Sequence, residues 1–393
     1  MYAATAVAHA PQALAARLGP RTQVIVDPQT SRLDAALGWS VAQDGDFKPA
    51  YRRLFSRYLR KIEERPQPTS WRAATAVERS QLIDNVVEYQ FRELERRHNS
   101  DLELFGIETL PSAASHLRPT RIMSAYQLVQ TPEDLNYQVS LWADSPPTYR
   151  GTPIDFVLAL SPRMVGHAAA IPGLARATRG RRVWLALPEF RQEARMPRGH
   201  VAARHAVRLV RQLSHDSEVA LIGASFEVLS LTGRFIRSVA FSPHLSDGRV
   251  HKSRGGRSVP VSYVSTVHDW IGYPRLGSVI SHAHDAAEFA AWFCDDPSCV
   301  AMFDRLGPRA FARRMFSTVS RGSRIVATRE SRGLQLEHGV RARTREIETV
   351  ANVSMHDLAV LLESAARQSP FLEARNRLEG WAMVLRGTER LAA

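Results

Sequence analysis

Short apolar runs that end in polar, glycine or proline residues recur along this chain and alternate with longer amphipathic stretches. That is the pattern of parallel strands separated by helices. The runs span 22–28, 121–128, 154–160, 182–188, 218–223, 236–241, 259–265 and 278–281. Eight such strands predict an α/β fold, a (β/α)8 TIM-type barrel with helical additions. An open doubly wound sheet is the alternative, but neither Gly-x-Gly-x-x-Gly nor Gly-x-x-x-x-Gly-Lys-Ser/Thr stands at a strand end, so no nucleotide cofactor is expected.

Thr75 followed by Glu78 forms a capping box, and Leu82, Val86, Phe91 and Leu94 then mark one side of a helix reaching about His98. A second helix starts after Ser354, with Asp357 three residues on and Leu358, Leu361, Leu362 and Ala365 at core-facing spacing. The proline-rich stretch 65–68 and the segment 144–152 read as loops. The organisation expected is a barrel over 1–285 with a helical insertion around 47–100. A C-terminal helical region over 286–393 packs on it and carries a degenerate zinc site.

With 393 residues, 44% of them hydrophobic, the chain can bury a sizeable core, which excludes bulk disorder and a small disulfide-stapled module. The 52 basic residues outnumber 39 acidic ones, for a net charge of +13, and only Lys48, Lys61 and Lys252 are lysine. The positive field favours polyanions, and arginine's planar fork suits phosphate, so nucleic acid is the expected partner. Two cysteines make no disulfide framework and fit a reducing compartment. The N-terminus lacks a basic region before its apolar stretch, and no apolar run reaches the roughly 18 residues that span a bilayer. A cytoplasmic protein without a membrane partner is expected.

In a parallel barrel, polar residues at the carboxyl ends of strands converge on one mouth. This selects Asp27, Tyr126, Glu189, Ser225, Glu227, His244, Asp247 and His268. Asp27 ends Val24-Ile25-Val26 and precedes Pro28-Gln29-Thr30, where a carboxylate serves as general acid or base and Gln29 recognises a substrate amide. The plainer alternative is a turn-capping aspartate. Glu189 is a mouth residue or the partner of a nearby arginine. Asp247 is a candidate nucleophile in a loop with Arg249, Lys252, Arg254 and Arg257, which attract phosphates, or else that loop is only solvated. His268 and Tyr263 either face the site or belong to the core.

His282-x-His284 would place two imidazoles on one face of a strand as metal ligands. Cys294 and Cys299, with His338 downstream, supply three zinc ligands. A fourth would come from Asp295, Asp296, His282 or His284, and the alternative is two buried free cysteines. On the helix expected over 334–350, His338, Arg341 and Arg345 fall at i, i+3 and i+7. That face is either ion-paired, with Glu337 on Arg341, or a phosphate-tracking stripe.

Four segments in this order resemble the tRNA-guanine transglycosylase superfamily, in particular the branch related to enzymes that insert 7-deazaguanines into DNA. They are the turn Val26-Asp27-Pro28-Gln29-Thr30, the strand and turn of Ala220 to Phe226, Asp247-Gly248-Arg249, and Cys294 and Cys299 followed by Leu336 to Glu346. The likeness spans about residues 20 to 365. It implies a (β/α)8 barrel with a zinc-bearing insertion held by Cys294, Cys299 and His338. It also implies base exchange at C1′ of a nucleotide in DNA or tRNA, with Asp247 as nucleophile and Asp27 as acid/base. Tyr126, Glu189, Ser225 and His268 would then contact the purine or 7-deazapurine base, and a second copy or a modification-complex protein would be a partner. The chain departs from the family's Cys-x-Cys-x-x-Cys, from Asp-Ser-Gly-Gly-Phe-Gln, and from Gly-Gly-Leu-Ala-Val-Gly-Glu, where Gly223-Ala224-Ser225-Phe226-Glu227 stands instead. A non-catalytic nucleic-acid-binding or scaffolding barrel and a metal-dependent hydrolase built on His282 and His284 are the competing expectations.

Overall fold

Residues 2–3, 25–33, 46–60, 62, 75–104, 119–170, 172–188, 190, 199–223, 225–240, 260–321 and 324–389 are described by the computed structural model. They fall into two units, the first made of 1–187, 211–222 and 250–252, the second of 188–210, 223–249 and 253–393. Residues 260–285, assigned from sequence to the barrel, lie with the C-terminal helices in the second unit.

The first unit contains β1 (Tyr2–Ala3), β2 (Val26–Asp27), α1 (Pro49–Tyr58), α2 (Ala76–Leu104), β3 (Ile122–Met123) and β4 (Leu128–Val129). It continues with α3 (Pro132–Ala143), β5 (Thr148–Tyr149), β6 (Thr152–Leu160), α4 (Pro162–Ala168), α5 (Pro172–Ala177) and β7 (Arg182–Ala186). After α6 (Gly199–Asp216), whose last residues count with this unit, comes β8 (Glu218–Ile222). The fold is mixed α/β with a parallel half-barrel sheet, in the order β3-β6-β7-β8 within this unit. β6 is buried from Ile154 to Leu160, as expected of a strand covered on both faces.

The expected strand over 121–128 is instead interrupted. β3 pairs Met123 with Asp155 of β6, and β4 pairs Leu128 with Ala159. Five steps on one strand thus oppose four on the other, and the extra residue makes a bulge that takes Tyr126 out of the ladder. α1 and α2 pack on this edge through Phe47, Phe55, Tyr58, Ile83, Val86 and Ile122. α2 starts at the expected capping box, with Thr75 N donating to Glu78 Oε2 at 2.7 Å and Glu78 N to Thr75 Oγ1 at 3.3 Å. From α2, the buried Gln90 amide bonds both the carbonyl (2.8 Å) and the N–H (3.0 Å) of Met123, acting as a further rung beside β3.

The second unit contains α7 (Phe226–Thr232), β9 (Ser238–Ala240), β10 (Val261–Val264), β11 (Asp269–Gly272), α8 (Tyr273–Ile280), α9 (Ala286–Trp292), α10 (Pro297–Leu306) and α11 (Pro308–Met315). It ends with β12 (Thr318–Arg321), β13 (Arg324–Ala327), α12 (Arg329–Asn352), α13 (Met355–Gln368) and α14 (Leu372–Glu389). Among the described residues the sheet stops short of an eight-stranded closure, because three expected strands are employed otherwise. The run over 22–28 gives only β2, which pairs parallel with β1 in a two-stranded sheet of its own. β10 turns back within a few residues and pairs antiparallel with β11, Val261 opposite Gly272. Residues 278–281, expected as a strand, finish α8. Pro274 stands at that helix's N-terminus, where its missing N–H costs nothing, and Leu276 and Ile280 are buried one turn apart. α13 follows Ser354 as expected, but Leu361 is 50% exposed rather than in the core.

Candidate functional site

Three residues selected separately from the sequence meet in the first unit. Asp27 Oδ1 accepts hydrogen bonds from the Tyr126 hydroxyl at 2.8 Å and from Gln29 N at 2.9 Å. Thr30 Oγ1 receives Tyr126 N at 2.7 Å and donates to Tyr126 O at 2.6 Å, which locks the bulge against the turn after β2. Tyr58 donates to Pro28 O at 2.8 Å; its burial, and then the neighbouring Tyr89, Asp27 and Tyr126, push its hydroxyl well above the usual tyrosine value. Gln29 is buried at φ 55°, a backbone conformation unfavourable for a glutamine and one that often marks a site. The cluster can hold a carboxylate in a fixed orientation at a strand's carboxyl end.

The Cys294, Cys299 and His338 ligand atoms lie within 4.8 Å of one another, all three residues buried, and could hold a metal ion. His338 Nε2 donates to Tyr263 O at 2.7 Å, so Nδ1 carries the lone pair and faces Cys299 Sγ at 3.5 Å. This is the tautomer a metal needs, fixed by a carbonyl behind the ring. Phe293 stacks on the ring at 4.7 Å. Cys299's hydrogen bond, opposed by burial and helped by His338, pulls the Cys294 thiol down, while the same bond and burial push Cys299 up.

The sequence's candidates for a fourth ligand are engaged elsewhere. Asp296, in the middle position of the Cys-x-Cys-x-x-Cys spacing, caps α10 by accepting from Ser298 N (3.0 Å) and Cys299 N (3.3 Å). Asp295 pairs with Arg345. His282 bonds Ser278 O and His284 bonds Glu288, both in the exposed turn after α8. The expectation of two imidazoles on one strand face is therefore corrected, since no strand forms there. Arg341 lies 3.3 Å from Asp296 and 3.9 Å from Glu337, so the guanidinium groups of Arg341 and Arg345 meet the acids of the cysteine loop and of their own helix.

His268 and Ser225 belong to the second unit. Ser225 caps α7 through Val228 N at 3.5 Å. His268, left-handed at φ 51°, lies flat on Phe226 with ring centroids 3.7 Å apart, and its Nδ1 meets Glu346 Oε1 at 2.6 Å. Glu346 is buried and also accepts from Tyr263 Oη and Arg343. Burial alone would raise its carboxyl; Arg343, His268 and Tyr263 outweigh that and hold it below the ordinary value.

Glu346 entered the sequence reading only as the end of the segment Leu336 to Glu346, with no role, and Arg343 not by itself, although a signal was present. His338, Ala342, Glu346 and Val350 fall at four-residue spacing and are all buried, so an acid stands on the core stripe of α12. Asp155, an acid inside the apolar run of β6, was missed likewise; it accepts from Arg121 Nε and Trp184 Nε1, each at 2.8 Å. Glu189, His244, Asp247, Arg249, Lys252, Arg254 and Arg257 lie outside the described residues. Among the described residues no helix is long and apolar enough to cross a membrane. No family model, curated protein or solved structure matches the chain.

Proposed function

We propose that the chain is a transglycosylase-like enzyme that exchanges a purine base, guanine for a 7-deazaguanine, in DNA or tRNA on a (β/α)8-type framework. The observation that carries this reading is the meeting of Asp27, Gln29 and Tyr126, the last 99 residues from Asp27, around one carboxylate at a strand end. In this reading an Asp247 oxygen attacks C1′ as the glycosidic C–N bond breaks, and Asp27 hands a proton to the departing base. The incoming base then loses a proton to Asp27, and its ring nitrogen displaces Asp247 from C1′. Tyr126 and Gln29 hold Asp27 in place for both transfers. Cys294, Cys299 and His338 would hold zinc, which supplies a cross-link between the cysteine loop and α12. Arg249, Lys252, Arg254 and Arg257 would hold phosphates, so binding would weaken steeply with salt.

The test is incorporation of labelled 7-deazaguanine into DNA or tRNA. Wild type incorporates label, Asp27→Asn and Asp247→Ala do not, and undiminished incorporation by either variant would sink the assignment. The Gln29 N to Asp27 Oδ1 bond is also an Asx turn, which favours a second reading, a non-catalytic nucleic-acid-binding barrel with Asp27 as a cap. That reading gains if wild type binds polynucleotide but incorporates nothing.

A further inference from the structure

The second unit holds a cavity of about 590 Å³ lined by His268, a residue the resemblance set against the base but through which the proposed exchange routes no step. This volume lies in the range of small-molecule pockets. Ala287, Ala290 and Ala291 on α9 face Leu358, Leu361 and Ala365 on α13, so small side chains on one wall leave room beside an apolar opposite wall. His268 lines its polar end, fixed on three sides: a left-handed backbone, Phe226 against the ring face, and Glu346 on Nδ1. Glu346 is an acceptor, so in the neutral ring Nδ1 carries the proton and Nε2 presents a lone pair. Among the described residues no hydrogen-bond partner meets Nε2. Thr266 Oγ1, on the same lining, is buried and likewise without a partner among them.

The charges at this cavity are matched, Arg345 by Asp295 and Glu346 by Arg343. An ionic guest would find no spare counter-charge, whereas a neutral guest with a hydrogen to donate would satisfy the lone pair. We propose that the cavity is a binding site for a neutral, largely apolar molecule carrying a ring N–H, the class of the indoles, with His268 Nε2 as its acceptor. In this proposal His268 serves the cavity rather than the exchanged base, and its failure would leave the roles of Asp27 and Asp247 untouched.

Calorimetric titration of the full chain with indole and with benzofuran, which has the same shape but no N–H, isolates the donor. Indole is expected to bind about tenfold more tightly, the worth of one neutral hydrogen bond. His268→Asn, whose side chain tolerates a left-handed backbone, brings indole down to the benzofuran level. Ala290→Phe, which fills the cavity without touching the polar end, abolishes binding of both. Equal binding of the two probes, absence of indole binding, or an indole affinity unchanged in either folded variant overturns the proposal.

Discussion

Each unit buries one carboxylate against an arginine and an aromatic donor, and the two arrangements are put to different ends. Asp155 in the first unit takes Arg121 and Trp184, which stand beside β3 and on β7, so its bonds run along the sheet that contains it. Glu346 in the second takes Arg343 and Tyr263 and then reaches a further group, His268, which lines a cavity. Taking a carboxylate out of water costs several kcal/mol unless every bond is made, so both are high-stakes positions. The difference lies in the last bond: the first device ties strands, the second orients a ring.

The largest effect should separate the units outright. On the proposal that Cys294, Cys299 and His338 hold zinc, Cys294→Ser or a strong chelator should destabilise the second unit by at least about 5 kcal/mol and remove the metal, read by metal analysis and by hydrogen exchange in that unit. Next, Glu346→Ala should cost about 3–5 kcal/mol in urea denaturation, because Arg343, 2% exposed, loses its buried counter-charge on α12. The carboxyl is held below its ordinary value, so its contribution is complete above the unfolded value of about pH 4.3 and is lost as pH falls through the lower folded value. The variant should therefore lack that acid limb. Asp155→Ala should cost less, about 1–3 kcal/mol, since Arg121 is 25% exposed and can turn to water. Equal losses for the two carboxylates would break the comparison. Smallest is Thr75→Ala, about 1 kcal/mol from the α2 cap, read as a shift in the thermal midpoint.

The strands β6, β7 and β8 were legible because each is an apolar run closed by a polar residue, proline or glycine, and α2 and α13 because their first turns carry caps. Residues 278–281 were misread because Ser278-Val279-Ile280-Ser281 is too short to carry a period of its own, and the informative residue, Pro274, lies outside it. Asp27, Gln29 and Tyr126 were each legible as polar residues near strand ends. Their contact was not, because it depends on a one-residue bulge that leaves no mark in the hydrophobic pattern. The cysteines and His338 declared themselves by residue type, while the tautomer that prepares the histidine comes from a backbone carbonyl on β10, to which sequence is blind.

The strand order β3-β6-β7-β8 is also the order of synthesis. When β6 leaves the ribosome its neighbours β3 and β4 have already been made, and β7 and then β8 add to the growing outer edge. The sheet can therefore assemble by accretion, each new strand finding a template that is already there, with no need to hold an open gap for a latecomer.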